Sequence, residues 1–196
     1  MKRILFSLVL ACITVLSLYA QTFNYDFPKD DEGEPFITGT IAYDCGAETA
    51  VKRITSYINS TFEKVSIDDA ARTISIKGAE INAKFSYNPF AGEFSDNIIF
   101  DLTITWPGNG TNEFTYTLSN LRVHSTAKGF ANYDNNDPLR QVLRKYDRAK
   151  ERLNDGSLNK KEKKEAINEE KDLGETLSKI VETLNEQVHK ITESLE

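Results

Sequence analysis

Residues 96–123 read DNIIFDLTITWPGNGTNEFTYTLSNLRV, and their alternation decides the fold. Ile98, Phe100, Leu102, Ile104 and Trp106 share one side of a period-2 strand, while Asp101, Thr103 and Thr105 take the other. An antiparallel strand buried on one face has this pattern. Pro107, Gly108, Asn109 and Gly110 supply turn residues, and Phe114, Tyr116 and Leu118 then resume the alternation, so the stretch is a β-hairpin. The apolar phase is even through Leu118 but odd at Leu121 and Val123. A slip of one residue would turn Leu121 and Val123 to the wrong face, so the spacing predicts a β-bulge near Ser119 and Asn120.

Upstream of the hairpin, Val65–Asp68 and Thr73–Lys77 flank the turn Asp69–Arg72, and Ile81, Ala83, Phe85 and Tyr87 mark a further strand. Asn88–Ser95, with Pro89 and Gly92, reads as a loop presenting Phe90 and Phe94. Further back the period changes. Val51, Ile54, Ile58 and Phe62 recur at three or four residues, which predicts an amphipathic helix over Ala47–Glu63 with Asp44 as its N-cap. Phe36–Tyr43 is a strand carrying Ile37, Ile41 and Tyr43 on one face and interrupted by Gly39, and Thr22–Glu34 is an extended lead-in.

Downstream, Ser125–Asp137 reads as a second loop, and Asp137–Pro138 as the N-cap and first turn of a helix carrying Leu139, Val142, Leu143, Tyr146 and Leu153. Asn154, Asp155 and Gly156 end it. Asn159 and Glu162 have capping-box spacing and open another helix. Lys160–Asp172 is almost wholly charged, after which Leu173, Leu177, Ile180, Val181, Leu184, Val188, Ile191 and Leu195 form an apolar stripe. A helix from Asn159 to Leu195 would run about 55 Å, so it must bend near Gly174, fold back or project. The stripe has two readings. It packs on the helix at Leu139–Leu153 or on the sheet, or it forms a coiled coil that recruits a second copy or a partner helix through Leu173, Leu177, Ile180, Leu184, Val188 and Ile191. Gln187 interrupts the second pattern.

The fold class is therefore α+β: a curved antiparallel sheet of about five to six strands in β-α-β-β-β-β-α order, with a C-terminal helical extension. Lys2 and Arg3 precede an uncharged apolar run, Ile4–Leu18, and Ala20 precedes Gln21, which reads as a signal peptide over residues 1–20. The division expected is 1–20 signal peptide, 21–137 sheet domain and 138–196 helical extension, with helices over 138–153 and 158–195. The destination is the periplasm or the exterior; Val9–Ala11 before Cys12 faintly resembles a lipoprotein box and offers a lipid-anchored alternative. No later run approaches the roughly 20 apolar residues of a membrane span. With Cys12 removed, Cys45 stands alone and closes no intramolecular disulfide.

After Lys2 and Arg3 are removed, 22 basic side chains face 30 acidic ones. Residues 138–196 hold 13 of each, so the excess lies in Gln21–Asp137, nine against 17, a balance that argues against nucleic acid as a partner of the sheet domain.

The helix segment AETAVKRITSYINSTFEK, the strand ARTISIKG, and the pair DNIIFDLTITW and FTYTLSNLRV, behind a signal ending in Ala-Gln, together resemble secreted Bacteroidota domains of unknown function with a TATA-binding-protein-like (TBP-like) fold. The resemblance covers Phe36–Val123. It implies the fold and an exported destination but no activity, and where that family has a tryptophan late in the first helix this chain has Tyr57 or Ile58.

Chemistry is sparse. His124 and His189 lie on different elements, and Asp134, Asn135, Asn136 and Asp137 lack the alternating ligands, central glycine and distal glutamate of an EF-hand loop. There is no Gly-x-Ser-x-Gly elbow, phosphate-binding glycine loop or His-Glu-x-x-His helix. Cys45, before the first helix, is the one nucleophile candidate, though a small buried residue in a strand-to-helix turn has the same signature. No catalytic, metal or cofactor residue is assigned. The sequence is read as an exported, non-enzymatic cell-envelope binding module whose helical arm mediates assembly. The alternatives are a carrier of a small apolar ligand between the sheet and Leu139–Leu153, suggested by Phe85, Tyr87, Phe100, Trp106, Phe114 and Tyr116, and a hydrolase using Cys45 or a carboxylate pair.

Overall fold

The computed structural model describes residues 27–83, 94–106, 108, 112–127, 134–154 and 156–196. The expected signal peptide, Phe85, Tyr87, Phe90 and the turn residues Pro107, Asn109 and Gly110 lie outside them. The elements run β1 (Ile37–Ala42), α1 (Ala47–Thr61), β2 (Val65–Asp68), β3 (Thr73–Ala83), β4 (Phe94–Thr105), β5 (Glu113–Ala127), β6 (Asp134–Pro138), α2 (Leu139–Asn154) and α3 (Lys160–Glu193). The fold is α+β, with one open antiparallel sheet in the order β1-β5-β4-β3-β2 and β6 also pairing with β5.

The hairpin is the centre of this sheet, and the phase slip is a bulge. Ile99 pairs with Arg122 but Asp101 pairs with Ser119, leaving Asn120 and Leu121 opposite Phe100, with Asn120 in the left-handed region at φ 51°. Leu121 and Val123 are thereby buried. On the other flank of β4 at the same level, Ile76 pairs with Leu102 and Ala79 with Phe100, so Lys77 and Gly78 stand together opposite Asp101. Gly78 has φ 63°, and its N–H donates to Asp101 Oδ1 at 2.7 Å. Bulges on both sides of Phe100–Asp101 bend the sheet there. The β5 bulge also divides that strand's outer edge: β1 pairs with Glu113–Leu118 and β6 with Arg122–Thr126.

Several expectations are corrected. Thr73–Lys77 and the Ile81–Ala83 strand are one strand, β3, because Gly78 bulges within the ladder instead of turning the chain. The expected Ser125–Asp137 loop is strand at both ends: Ser125 belongs to β5, and Asp134–Pro138 is β6. Asp137, expected as an N-cap, pairs with Val123 in the ladder. Asp44 is not the cap of α1; Gly46 is, in extended conformation and without a side-chain bond. Phe94 and Ser95, expected in a loop, start β4. The capping box is present: Asn159 Oδ1 accepts from the N–H groups of Lys161 and Glu162, and Glu162 Oε2 accepts from the Asn159 N–H at 2.9 Å.

The core sits between the sheet and one helical layer. Ile74, Ile76, Ile98, Phe100, Leu102, Ile104, Phe114 and Leu118 from the strands pack with Ile54 and Ile58 of α1 and with Leu177, Ile180, Leu184 and Ile191 of α3. Each such side chain removed from water contributes about 1.5–3 kcal/mol. The core continues across the expected division at Pro138. Gly39 falls where the Tyr116 ring crosses β1, since a Cβ there would lie 2.7 Å from the Tyr116 hydroxyl. Arg53 of α1 donates to the carbonyls of Leu195 and Glu196, fixing the end of α3's layer on α1.

Helix α3 is continuous through Gly174 and, with 34 residues, spans about 51 Å. Its stripe is occupied within the chain. Leu177, Ile180, Leu184 and Ile191 are buried, and Leu173 and Val188 are half-buried against the same core. The interrupting Gln187 is buried too, and its Nε2 donates to the Tyr57 hydroxyl.

Candidate functional site

Because each described helix that packs on the core does so from the face that carries Phe100, no helix among the described residues covers the opposite face of the sheet. The register aligns its side chains in two rows of hydroxyl-bearing residues. Thr40, Thr115, Thr105 and Thr73 lead to Asp68 in one row, and Thr38, Thr117, Thr103, Ser75 and Ser66 form the other. Threonine suits both the strand backbone and water, so these rows are what a solvated sheet face selects. Farther along the same face Glu80, Asn82, Asn97 and His124 meet. Asn97 Nδ2 donates to Glu80 Oε1 at 2.6 Å, His124 Nδ1 lies 3.5 Å from the same oxygen, and Asn82 Nδ2 donates to Asn97 Oδ1 at 3.4 Å. This cluster offers a ligand both hydrogen-bond donors and acceptors.

At one end of the sheet a groove of about 520 Å³ is lined by Ala47, Glu48, Val51, Lys52, Asp69 and Trp106. Glu48 and Lys52 bond at 2.8 Å across one turn of α1, which holds the Glu48 carboxyl below and the Lys52 ammonium above their usual values. Trp106, the chain's one tryptophan, is half-buried there against the core. Cys45 is half-buried beside the first turn of α1 and free of a disulfide. Neither histidine lies in this groove. Among the described residues no group of three or more His, Cys, Asp or Glu side chains is placed to hold a metal ion. His189 lies on the exposed side of α3 near Glu193, at 3.4 Å.

The third exposed feature is the arm. Contributors to the core pass directly from Tyr146 to Leu173, so the far ends of α2 and α3 rest on each other. Ala149 and Ala166 are fully buried between them, and Arg152 Nη1 bonds Glu169 Oε2 at 2.7 Å. Lys150 Nζ lies 5.3 Å from the centre of the Tyr146 ring. From Leu173 to the tip the hairpin extends about 20 Å beyond the core, at 1.5 Å per residue. Helix α2 thus lies alongside α3, and the interior above the sheet is filled chiefly by side chains of α1, α3 and the strands.

The arm's charge is unevenly placed. Arg140–Lys164 carries ten basic and four acidic side chains, whereas Glu165–Glu196 carries three basic and nine acidic. The balance of 13 against 13 across the extension conceals a basic end. Lys160, Lys161, Lys163 and Lys164 occupy the first five residues of α3 and are exposed. Among the described residues, Arg144, Arg148, Lys160, Lys163 and Lys164 make no ion pair. No helix in the described residues is long and apolar enough to cross a membrane. Compared with known proteins, the chain matches no family model, no curated protein and no solved structure.

Proposed function

We propose that the chain is an exported, non-enzymatic interaction module of the cell envelope, with the sheet as its body and the α2–α3 arm as its working end. The observation that carries this reading is the arm's construction. Its base is locked into the core through Leu177, Ile180 and Leu184, while among the described residues its far end stands outside the core and presents basic side chains to solvent. A rigid helical lever with exposed charge holds a partner at a distance from the body. Lys2, Arg3 and the apolar run Ile4–Leu18, with the likeness of Phe36–Val123 to secreted Bacteroidota domains of TBP-like fold, support export. Assembly of several copies would use the arm's outer surface, since the apolar stripe is occupied inside the chain.

Cation-exchange chromatography near neutral pH tests the arm. By its net charge of −6 the chain should pass through; if the arm acts as a separate basic end, it is retained and eluted by salt. Changing Lys160, Lys161, Lys163 and Lys164 together to Glu should abolish retention. Passage of the unaltered chain through the resin at low salt would refute the reading. Light scattering over a concentration series reads the assembly part.

A further inference from the structure

The four lysines at the start of α3 are in an unfavourable place for the fold. A helix N-terminus carries partial positive charge from its unpaired N–H groups, so cations there destabilise the helix and anions stabilise it. Asn159 and Glu162 follow that rule and form the capping box, yet Lys160, Lys161, Lys163 and Lys164 surround them. Of these only Lys161 approaches a carboxylate, that of Glu165 at 3.9 Å, and both partners are mostly exposed. Local rules broken without compensation inside the structure point to a requirement outside it.

We propose that the far end of the arm is a docking surface for an anionic lipid bilayer, with Lys160, Lys161, Lys163 and Lys164 facing the headgroups. The proposal rests on the reading of the arm as the working end. Three observations select this occupant. The first is charge complementarity with direction: the arm's tip, Arg152–Lys164, has five basic against two acidic side chains, while residues 21–137 have nine against 17. An anionic plane attracts the first and repels the second, which stands the molecule end-on with its acidic body held off the surface. The second is shape. The end of a two-helix hairpin is narrow and convex, and it offers neither a groove nor a stacking platform of the kind that single-stranded nucleic acid requires; a bilayer asks only for a local density of cations. The third is Ile167, 47% exposed, which follows Lys163 and Lys164 by four and three residues and so shares their side of the helix. It places one apolar side chain beside the lysines at headgroup depth.

Co-sedimentation with vesicles decides the matter. The chain from Gln21 onward, which contains every described element, is used so that Ile4–Leu18 cannot itself enter the bilayer. Binding is expected to vesicles of phosphatidylcholine containing phosphatidylglycerol, and not to phosphatidylcholine alone. It should be lost in about 1 M salt, where charges are screened beyond about 3 Å. The variant Lys160→Glu/Lys161→Glu/Lys163→Glu/Lys164→Glu should bind the anionic vesicles at least about ten-fold more weakly. The same variant should melt no lower than the unaltered chain, because acidic residues suit a helix N-terminus. A lower melt, showing the lysines to be structural, would overturn the proposal. So would equal binding to both vesicle types, or a variant that binds as the unaltered chain does. Binding to a DNA duplex but not to anionic vesicles would overturn it in favour of nucleic acid. Retention on the cation exchanger without vesicle binding leaves the arm as working end and removes only the bilayer.

Discussion

Gln187 on α3 donates from Nε2 to the Tyr57 hydroxyl on α1 at 3.1 Å, 130 residues away in sequence. The glutamine is 7% exposed and sits among Leu184, Val188 and Ile191, so its amide depends on that one phenol. Replacing Tyr57 with Phe should cost about 1–2 kcal/mol by urea denaturation, because a buried polar group loses its acceptor. Adding Gln187→Leu should recover most of the loss. A coupling below about 0.3 kcal/mol in the four-way cycle would show that the bond contributes nothing specific.

Gly174 is interior to α3, where glycine costs about 0.5–1 kcal/mol relative to alanine. A Cβ there would meet Tyr146 Cε2 at 3.4 Å, a contact the ring accommodates with little movement. Gly174→Ala should therefore raise the unfolding free energy by up to about 1 kcal/mol, whereas Gly174→Leu should displace Tyr146 and lower it. If alanine is the more damaging of the two, the packing described for the arm's base is incorrect.

At the β5 bulge, Asn120 has φ 51°, a conformation costing most residues roughly 1–2 kcal/mol but glycine nothing. Its side chain also accepts from Arg122 Nε at 3.1 Å on the exposed face. Asn120→Gly should leave thermal stability within about 0.5 kcal/mol, and Asn120→Val should reduce it by about 1–2 kcal/mol. Equal melts for the two variants would mean the bulge has no left-handed residue.

Burial raises the Tyr116 hydroxyl above its ordinary value near 10, since the phenolate is the form that desolvation disfavours. In the unfolded chain Tyr116 loses its proton first. Its contribution to stability is thus whole below about pH 10 and declines as pH rises from there toward the folded-state value. Tyr116→Phe should flatten the alkaline limb of stability against pH. An unchanged alkaline slope in the variant would assign that limb to other groups.

Alternation made the hairpin legible because one face of β4 is buried to completion, and the phase change at Leu121 exposed the bulge for the same reason. Gly78 and Asp134–Pro138 misled for a shared reason: glycine, asparagine, aspartate and proline mark turns by their backbone preferences, but a bulge and an edge strand use those same preferences. Strand β6 is held by pairing with β5, which leaves no apolar alternation to read. The stripe on α3 announced an apolar partner without naming it; that Ile54, Ile58 and Tyr57 receive it depends on chain geometry beyond any local pattern. The basic end of the arm was present in the residue order, yet counting charge over 138–196 averaged Lys160–Lys164 against the acidic residues that follow. Glu80, Asn97 and His124 come together only through strand register, and no spacing along the chain foretells that.

A single helix that begins at the arm's tip and ends against Arg53 of α1 also sets an order in time. While the chain is being made, six strands and α1 precede the residues that cover their apolar face, so Ile98, Phe100 and Leu102 have no complete shelter until Leu177–Ile191 arrives. A chain stopped at Asp155 would keep its strands but lack half their lid, and such a product would aggregate instead of yielding a smaller folded domain. Of the described helices, α3 is made last, and it is the one that closes the core.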